Sequence, residues 1–480
     1  MSSLANIQHI VVLMLENRSF DCMLGNLYQP SPGFDGLTGS EFNLDAAGNK
    51  VCVWHSTGTD PSTMSVPDPD PGELWLDINE QLFGRPDPQG LAPVPDMSGF
   101  VTNYMKQPPV PGSTYNPKHV MHYFLPEQVP ILSQLARQFA VCDRWFASAP
   151  CQTWPNRFFV HAATADGRQN NSPAHFPSVE TIYDRFELAG NLDWKIYFHD
   201  IPQSKALTNL WVRPGRFHFF NQFKEDAAAG TLPAYSFIEP RYFADWSLPN
   251  DQHPPHDATL GEQLIADVYN AVRGGKGWLN TLLIVTYDEH GGCYDHVAPP
   301  AAKPPGPAVT TPFNFDRYGV RVPAVLVSPY IRQATVLRPP GDVPFDHTSI
   351  IATLRKRFAQ LGPPLTARDA VAPDLESVLA LTSPDNLGPP QVTANPYTPE
   401  PAQVAKMQSA APNDMQHALI KLAANLPQGA GTAAATNNLL KVRGQAAGLK
   451  ANTIEAPHDA NASVLGGAAF IKSQLGRFFS

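Results

Sequence analysis

The chain is poor in charge, in cysteine and in long apolar runs, and each shortage excludes a class of function. Charged residues make up 16% of the 480 positions while 43% are hydrophobic. A soluble domain ordinarily carries about a quarter charged residues. The balance suits a compact globular enzyme better than a disordered or solvating protein. The formal net charge is -9 and no run of Lys or Arg stands out, so nucleic acid is not expected as a partner. The five cysteines, Cys22, Cys52, Cys142, Cys151 and Cys293, are scattered, with no CxxC pair. That argues against a disulfide framework and against a thiolate zinc site. The run Ile10–Leu15 is far too short to cross a bilayer, and no transmembrane segment is expected. The opening MSSLANIQHI has no basic n-region and no cleavage pattern. The expectation is therefore no signal peptide, with the protein cytoplasmic or exported by a signal-independent route.

Proline, by contrast, is abundant. The 50 prolines gather in loops such as Pro67–Pro71, Pro86–Pro95 and Pro299–Pro307. This is roughly twice ordinary usage. Long stiffened loops on a sheet scaffold are where function usually sits.

Two stretches share one design. In Thr281–His296, TLLIVTYDEHGGCYDH, an apolar run, Leu282–Val285, leads directly into Asp288, Glu289 and His290 and then Gly291-Gly292. In His9–Asp21, HIVVLMLENRSFD, the run Ile10–Leu15 ends in Glu16 and Asn17. Both runs read as buried parallel strands. In open α/β sheets ligands bind outside the carboxyl ends of the strands. Adjacent oxygen ligands at two strand ends look like two sides of one divalent-metal site. Arg18 adds a fork suited to a carboxylate or phosphate, and Ser19 and Asp21 offer helix caps.

Further strands are expected at Ala140–Cys142, at Trp194–Phe198 ending in His199 and Asp200, at Tyr235–Ile238, and at Val322–Ser328. Helices are expected over Gln128–Ala140, Val179–Leu188 and the segment capped by Asp257. This strand–helix alternation predicts an α/β fold with a mainly parallel sheet. Thr153 lies between Pro150 and Pro155. It reads either as a helix N-cap or as a hydroxyl nucleophile whose pKa a metal lowers. His253 and His256 fall in a proline-rich loop. His347, beside the candidate caps Asp346 and Thr348, reads either as packing or as a site ligand. Residues 33–96 show little periodicity beyond a helix near Glu73–Leu82, and His55, His119 and His122 lie in or after this stretch.

Five segments occur in an order that resembles a known family. They are ENRSFD after an apolar strand, TWPNR after D-x-W-F-x-S, TYDEHGG-x-YDHV-x-PP, RVPAVLVSP and DHTSI. Over about Ile7–Phe358 the chain resembles the bacterial phosphoesterase family of phospholipases C and related acid phosphatases. The resemblance implies an alkaline-phosphatase-like fold, a mainly parallel central sheet flanked by helices, with long Pro-rich insertions and a C-terminal helical or irregular tail. It implies Glu16, Asn17, Asp288 and Glu289 as metal ligands, and Thr153 as a nucleophile that also touches the metal. It implies His253 near the scissile phosphate; His199 and His122 match more loosely, and His290 and His347 belong to shared motifs.

The implied chemistry is metal-dependent phosphoester hydrolysis through a phosphothreonine, with histidines titrating near the working pH. All-oxygen ligands suit Mg, Ca or Mn, while nearby histidines keep Zn or Fe open. The short Ala-rich tail points to a broad-specificity, acid-phosphatase-like monoesterase. The alternatives are a phospholipase C acting on a phospholipid headgroup, in which Trp54, Trp75, Trp154 and Trp246 could form a choline cage, and a non-catalytic phosphate- or metal-binding protein. Neither Cys22 nor Cys151 has the context of a modified-Cys sulfatase. The expected layout is a catalytic domain over residues 1–362, with 33–125 as a loop-rich insertion or lid, and a partly helical extension over 363–480.

Overall fold

In a computed structural model, residues 3–85, 94–110, 112–174, 176–245, 247–306, 313–428 and 455–479 are described. In chain order the strands are β1 (His9–Leu15), β2 (Phe42–Leu44), β3 (Lys50–Cys52), β4 (Ala140–Cys142), β5 (Trp194–Phe198), β6 (Phe217–Phe219), β7 (Tyr235–Glu239), β8 (Thr281–Tyr287), β9 (Ala324–Val327) and β10 (Thr335–Leu337). Eight of them form one sheet in the order β10-β4-β9-β8-β1-β7-β5-β6. All its neighbouring pairs are parallel except those of β9 with β8 and with β4. The expected mainly parallel α/β sheet is therefore present, with the Val322–Ser328 segment supplying the one reversed strand.

β1 and β8 are buried along nearly their whole length. A strand covered on both faces needs apolar side chains at every position, which is why these runs do not alternate. β1 is also where the order changes direction, with β7 and β5 to one side and β8 and β9 to the other. Such a switch point opens a crevice at the carboxyl ends of the strands. Register then does the decisive work. Leu15 is paired with Tyr287, so Glu16 and Asp288, the next residues on two parallel strands, emerge side by side.

Helices flank the sheet. Ala258–Gly274, capped by Asp257, packs on Pro130–Gln138 and Phe220–Ala229. Thr153–Ala162 packs on Thr348–Arg357 and Ile182–Ala189. The proline-rich insertion is more ordered than its sequence suggested. It holds the hairpin β2–β3, the helices Trp75–Phe83 and Phe100–Tyr104, and a small core of its own built on Ile78, Leu82, Phe100, Val101 and Tyr104.

In the extension, Asp414–Asn425 packs on Val464–Phe479. Met415, Leu419, Leu422, Ile471 and Phe478 belong to the same core as the sheet. The extension is partly helical as expected, through Asp414–Asn425 and Val464–Phe479, while residues 429–454 lie outside the described residues. Among the described residues, no helix is long and apolar enough to cross a membrane.

Candidate active site

The turns leaving β1 and β8, with the helix start at Thr153, bring together the five residues read as metal ligands. Asn17 takes a left-handed backbone, φ 59°. Its N–H donates to Asp288 Oδ1 at 3.1 Å and its Nδ2 to Glu289 Oε1 at 2.9 Å. Its Oδ1 accepts the Thr153 hydroxyl at 3.3 Å. Glu16 and Asp288 share one cation: Arg157 Nε lies 2.9 Å from Asp288 Oδ2 and Nη2 lies 3.3 Å from Glu16 Oε1. Gly291 and Gly292 permit this closeness. A Cβ on Gly291 would lie 2.2 Å from Asn17 O, and one on Gly292 would lie 2.6 Å from Pro71 Cβ. Glycine is the default wherever backbones approach so closely at positive φ.

Thr153 is not the N-cap that one reading made it. Gln152 holds that position and Thr153 is the first helical residue. Its hydroxyl is free of cap duty and turns to Asn17. The turn before it is stapled by Asn156, whose Nδ2 donates to the carbonyls of Ala149 and Cys151. A helix N-terminus at Thr153 also favours a bound anion.

The cluster is larger than the sequence indicated. Glu73, from the loop before Trp75–Phe83, accepts from Asn17 Nδ2. Its Oε1 is 3.7 Å from His253 Nε2, and Asp70 Oδ1 is 3.8 Å from His253 Nδ1. Asp70, Glu73 and His253 together could hold a metal ion. Glu73 and Asp70 escaped notice because proline-rich loop has no periodicity to say where its side chains point. The only signal was two acids in a loop before a helix.

Glu16, Glu73, Asp288 and Glu289 are all buried. Burial pushes each of these carboxyls above its ordinary range, and repulsion from neighbouring acids adds to the push on Glu16, Glu73 and Glu289. Among the described residues only Arg157 forms a salt bridge to them other than through histidine. A buried surplus of carboxylate oxygens is costly without a compensating cation. The residues thus fit a hard divalent ion, which Glu16, Asn17, Thr153, Asp288 and Glu289 could hold through oxygen.

The histidines differ from expectation in charge. With nothing bound, burial pulls His253 down to about 4 and both His199 and His290 down to about 3, so they are neutral rather than poised near neutral pH. His253 Nδ1 lies 2.6 Å from Pro254 O. That ring nitrogen must donate, leaving the Nε2 lone pair facing Glu73. His290 has both nitrogens engaged, Nε2 with Gln81 Oε1 at 2.8 Å and Nδ1 3.2 Å from Glu289 Oε2. It is placed to hold Glu289. His199 lies apart from the cluster in its contacts, with Nδ1 3.0 Å from Glu239 O and its ring stacked on Phe220. His347 accepts from Trp145 Nε1 and meets Asp288 O at 2.6 Å, so it positions the Asp288 backbone. His122 packs between Trp54 and Phe124.

Trp54 meets His122 edge-on while Trp75 and Trp154 pack tilted against Phe313 and Phe158, so these three form no common cage; Trp246 lies outside the described residues. A second acid–histidine group, Asp21, Asp295 and His296, is already filled by Arg321, which donates to Asp21 and Asp295 at 2.9 Å each. It ties the two strand-end loops together.

Comparison with known proteins gives the family of the chain. The model of the Phosphoesterase family matches residues 7–360. Non-specific phospholipase C6 of Arabidopsis thaliana is 38% identical over 439 residues, covering 88% of this chain and 81% of that protein. Phospholipase C B of Mycobacterium tuberculosis is 30% identical over 450 residues, covering 83% of each. A putative sulfatase from Bacteroides thetaiotaomicron overlaps 56% of this chain and 71% of its own, at a TM-score of 0.32 and 9% identity, a likeness too slight to bear on fold or site. With the family match spanning every strand and every acid of the cluster, the chain belongs to the phosphoesterase family and is a phosphoric ester hydrolase.

Proposed function

We propose that the chain is a phospholipase C that cleaves the bond between glycerol oxygen and phosphorus through a phosphothreonine at Thr153. The observation that carries this reading is the Thr153 hydroxyl held at 3.3 Å on Asn17 Oδ1, within one cluster with Glu16, Asp288 and Glu289. Support for a lipid substrate, over the broad acid-phosphatase-like monoesterase suggested by the short tail, comes from the relatives named above, which bear the name phospholipase C and are matched over 81% and 83% of their length.

A divalent cation on the oxygen cluster would neutralise charge on the phosphoryl oxygens and lower the pKa of the Thr153 hydroxyl. Asn17 and the helix N-terminus orient that hydroxyl for in-line attack. Thr153 gives up its hydroxyl proton to solvent as Oγ1 bonds to phosphorus and the ester bond to the diacylglycerol oxygen breaks. His253 Nε2, aimed into the site, gives the leaving oxygen its proton. An arriving phosphate anion favours the protonated imidazole that burial alone disfavours. Water, losing a proton to the now neutral His253, then displaces Thr153, whose oxygen takes a proton back from solvent, and the phosphorylated headgroup is released.

The test uses the full chain with phosphatidylcholine in mixed micelles and p-nitrophenyl phosphate in parallel. Diacylglycerol release is expected to dominate. Thr153→Ala should lower it by about 10⁴-fold or more with the melting temperature unchanged, and acid quenching of the wild type should trap the phosphorylated headgroup on Thr153 from the lipid and phosphate from the monoester. Near-normal turnover by Thr153→Ala would overturn the covalent route. Monoester hydrolysis without diacylglycerol release would overturn the lipid substrate.

A further inference from the structure

The C-terminal extension carries no motif in the sequence, yet it forms one wall of a cavity beside the cluster. The cavity has a volume of about 430 Å³ and is lined by Leu74, Gln152 and Asn171 on one side and by Asp414, His417, Lys421 and Glu455 of the extension on the other. This lies within the span of small-molecule sites, about 300–1,000 Å³.

Its position is fixed by two separate links. Gln152 caps the helix that begins with Thr153, and its Oε1 accepts from Asn171 N at 3.0 Å. Leu74 follows Glu73, which accepts from Asn17. The helix Asp414–Asn425 is held in place by Gln416 Nε2, which donates to Tyr242 O at 2.8 Å, and by Met415 and Leu419 in the main core.

The charges on the cavity wall do not cancel. Lys421 is paired with Glu455. His417 Nδ1 is engaged with Asn461 Oδ1 at 3.1 Å. Asp414 is exposed and, among the described residues, has no cation within salt-bridge distance. The cavity therefore presents one uncompensated carboxylate, and it has no aromatic lining for a cation–π cage.

We propose that this cavity is the headgroup subsite, that the extension completes it, and that Asp414 selects headgroups bearing an ammonium group over anionic ones. The proposal rests on the phospholipase C reading above. With phosphorus at Thr153, the headgroup passes Gln152 into the cavity and its cation faces Asp414. Recognition by one charge in a wet, polar space accepts several headgroups and grades them modestly.

The experiment measures kcat/KM of the full chain for phosphatidylcholine and for phosphatidylglycerol, at equal mole fraction in the same detergent micelles, by diacylglycerol release. Asp414→Asn should lower the choline-to-glycerol ratio about threefold to fivefold, in keeping with one exposed charge pair. Asp414→Lys should lower it further, and Asp414→Glu should keep the wild-type ratio. Lys421→Glu, which adds negative charge to the same wall, should raise the ratio and decides the matter if Asp414 variants melt early. A ratio within error of wild type in both Asp414→Lys and Lys421→Glu, or equal losses on both lipids, would overturn the subsite while leaving the phospholipase reading in place. Absence of diacylglycerol from any lipid with the wild type would overturn that reading and the subsite with it.

Discussion

Gly291→Ala offers the sharpest test of how the site is assembled. Gly291 has φ 59°, and a Cβ there would meet Asn17 O at 2.2 Å and Asn17 Cβ at 2.7 Å. Ordinary carbon–oxygen contact begins at about 3.3 Å, so one of the two turns must retreat by about 1 Å. An L-residue in this backbone region costs about 1–2 kcal/mol, and the forced overpacking adds about 1–3 kcal/mol. The expected loss of stability is therefore about 2–5 kcal/mol, read as a shift of the urea midpoint at unchanged slope. The effect on turnover should exceed the effect on folding. Asn17 carries the contacts to Thr153, Asp288 and Glu289, and a misplacement of about 1 Å in such a constellation costs on the order of 100-fold in rate. Gly274→Ala is the control, because a Cβ there meets nothing within 4 Å and its cost should be near zero or slightly favourable. If Gly291→Ala retains wild-type stability and turnover, the two turns are not locked together as described.

Further outcomes follow from the charges. Arg157→Met leaves Asp288 and Glu16 buried without the guanidinium now 2.9 Å and 3.3 Å away. Breaking a buried pair on one side costs about 3–5 kcal/mol, to be seen in urea unfolding of metal-free protein, with partial recovery when a divalent ion is added. Chelation should abolish phosphoester hydrolysis, and elemental analysis before and after should identify the ion whose return restores it. For His296, burial lowers the pKa, but hydrogen bonds to Asp21 and Asp35 outweigh it and hold the group up at about 10. A folded pKa above the unfolded value of about 6.5 means this stabilisation is full below that pH and is lost as pH rises towards 10. The unfolding free energy should thus decline over that alkaline window, and His296→Gln should flatten the decline. Its partner Asp35 is held down to about 2, chiefly by the His296 hydrogen bond; that contribution should fade as pH falls from about 4 through 2.

What the amino-acid sequence settled by itself was local. The apolar runs of β1 and β8, the acids directly after them, Thr153 at a helix start and the helix capped by Asp257 follow from short-range pattern, and the structure has them where pattern put them. Glu16 and Asp288 could be placed together because both directly follow central strands, and a strand's register carries its end residues with it. Tertiary structure decided what no period encodes. β9 runs antiparallel because of how the chain returns, not because of its composition. Glu73 and Asp70 reach His253 from an irregular loop, where sequence spacing says nothing of direction. His253 and His290 are neutral because folding buries them, and burial, not residue type, sets their charge. The extension lines the cavity next to Gln152 only because its helix docks on Tyr242, a contact between residues 174 positions apart.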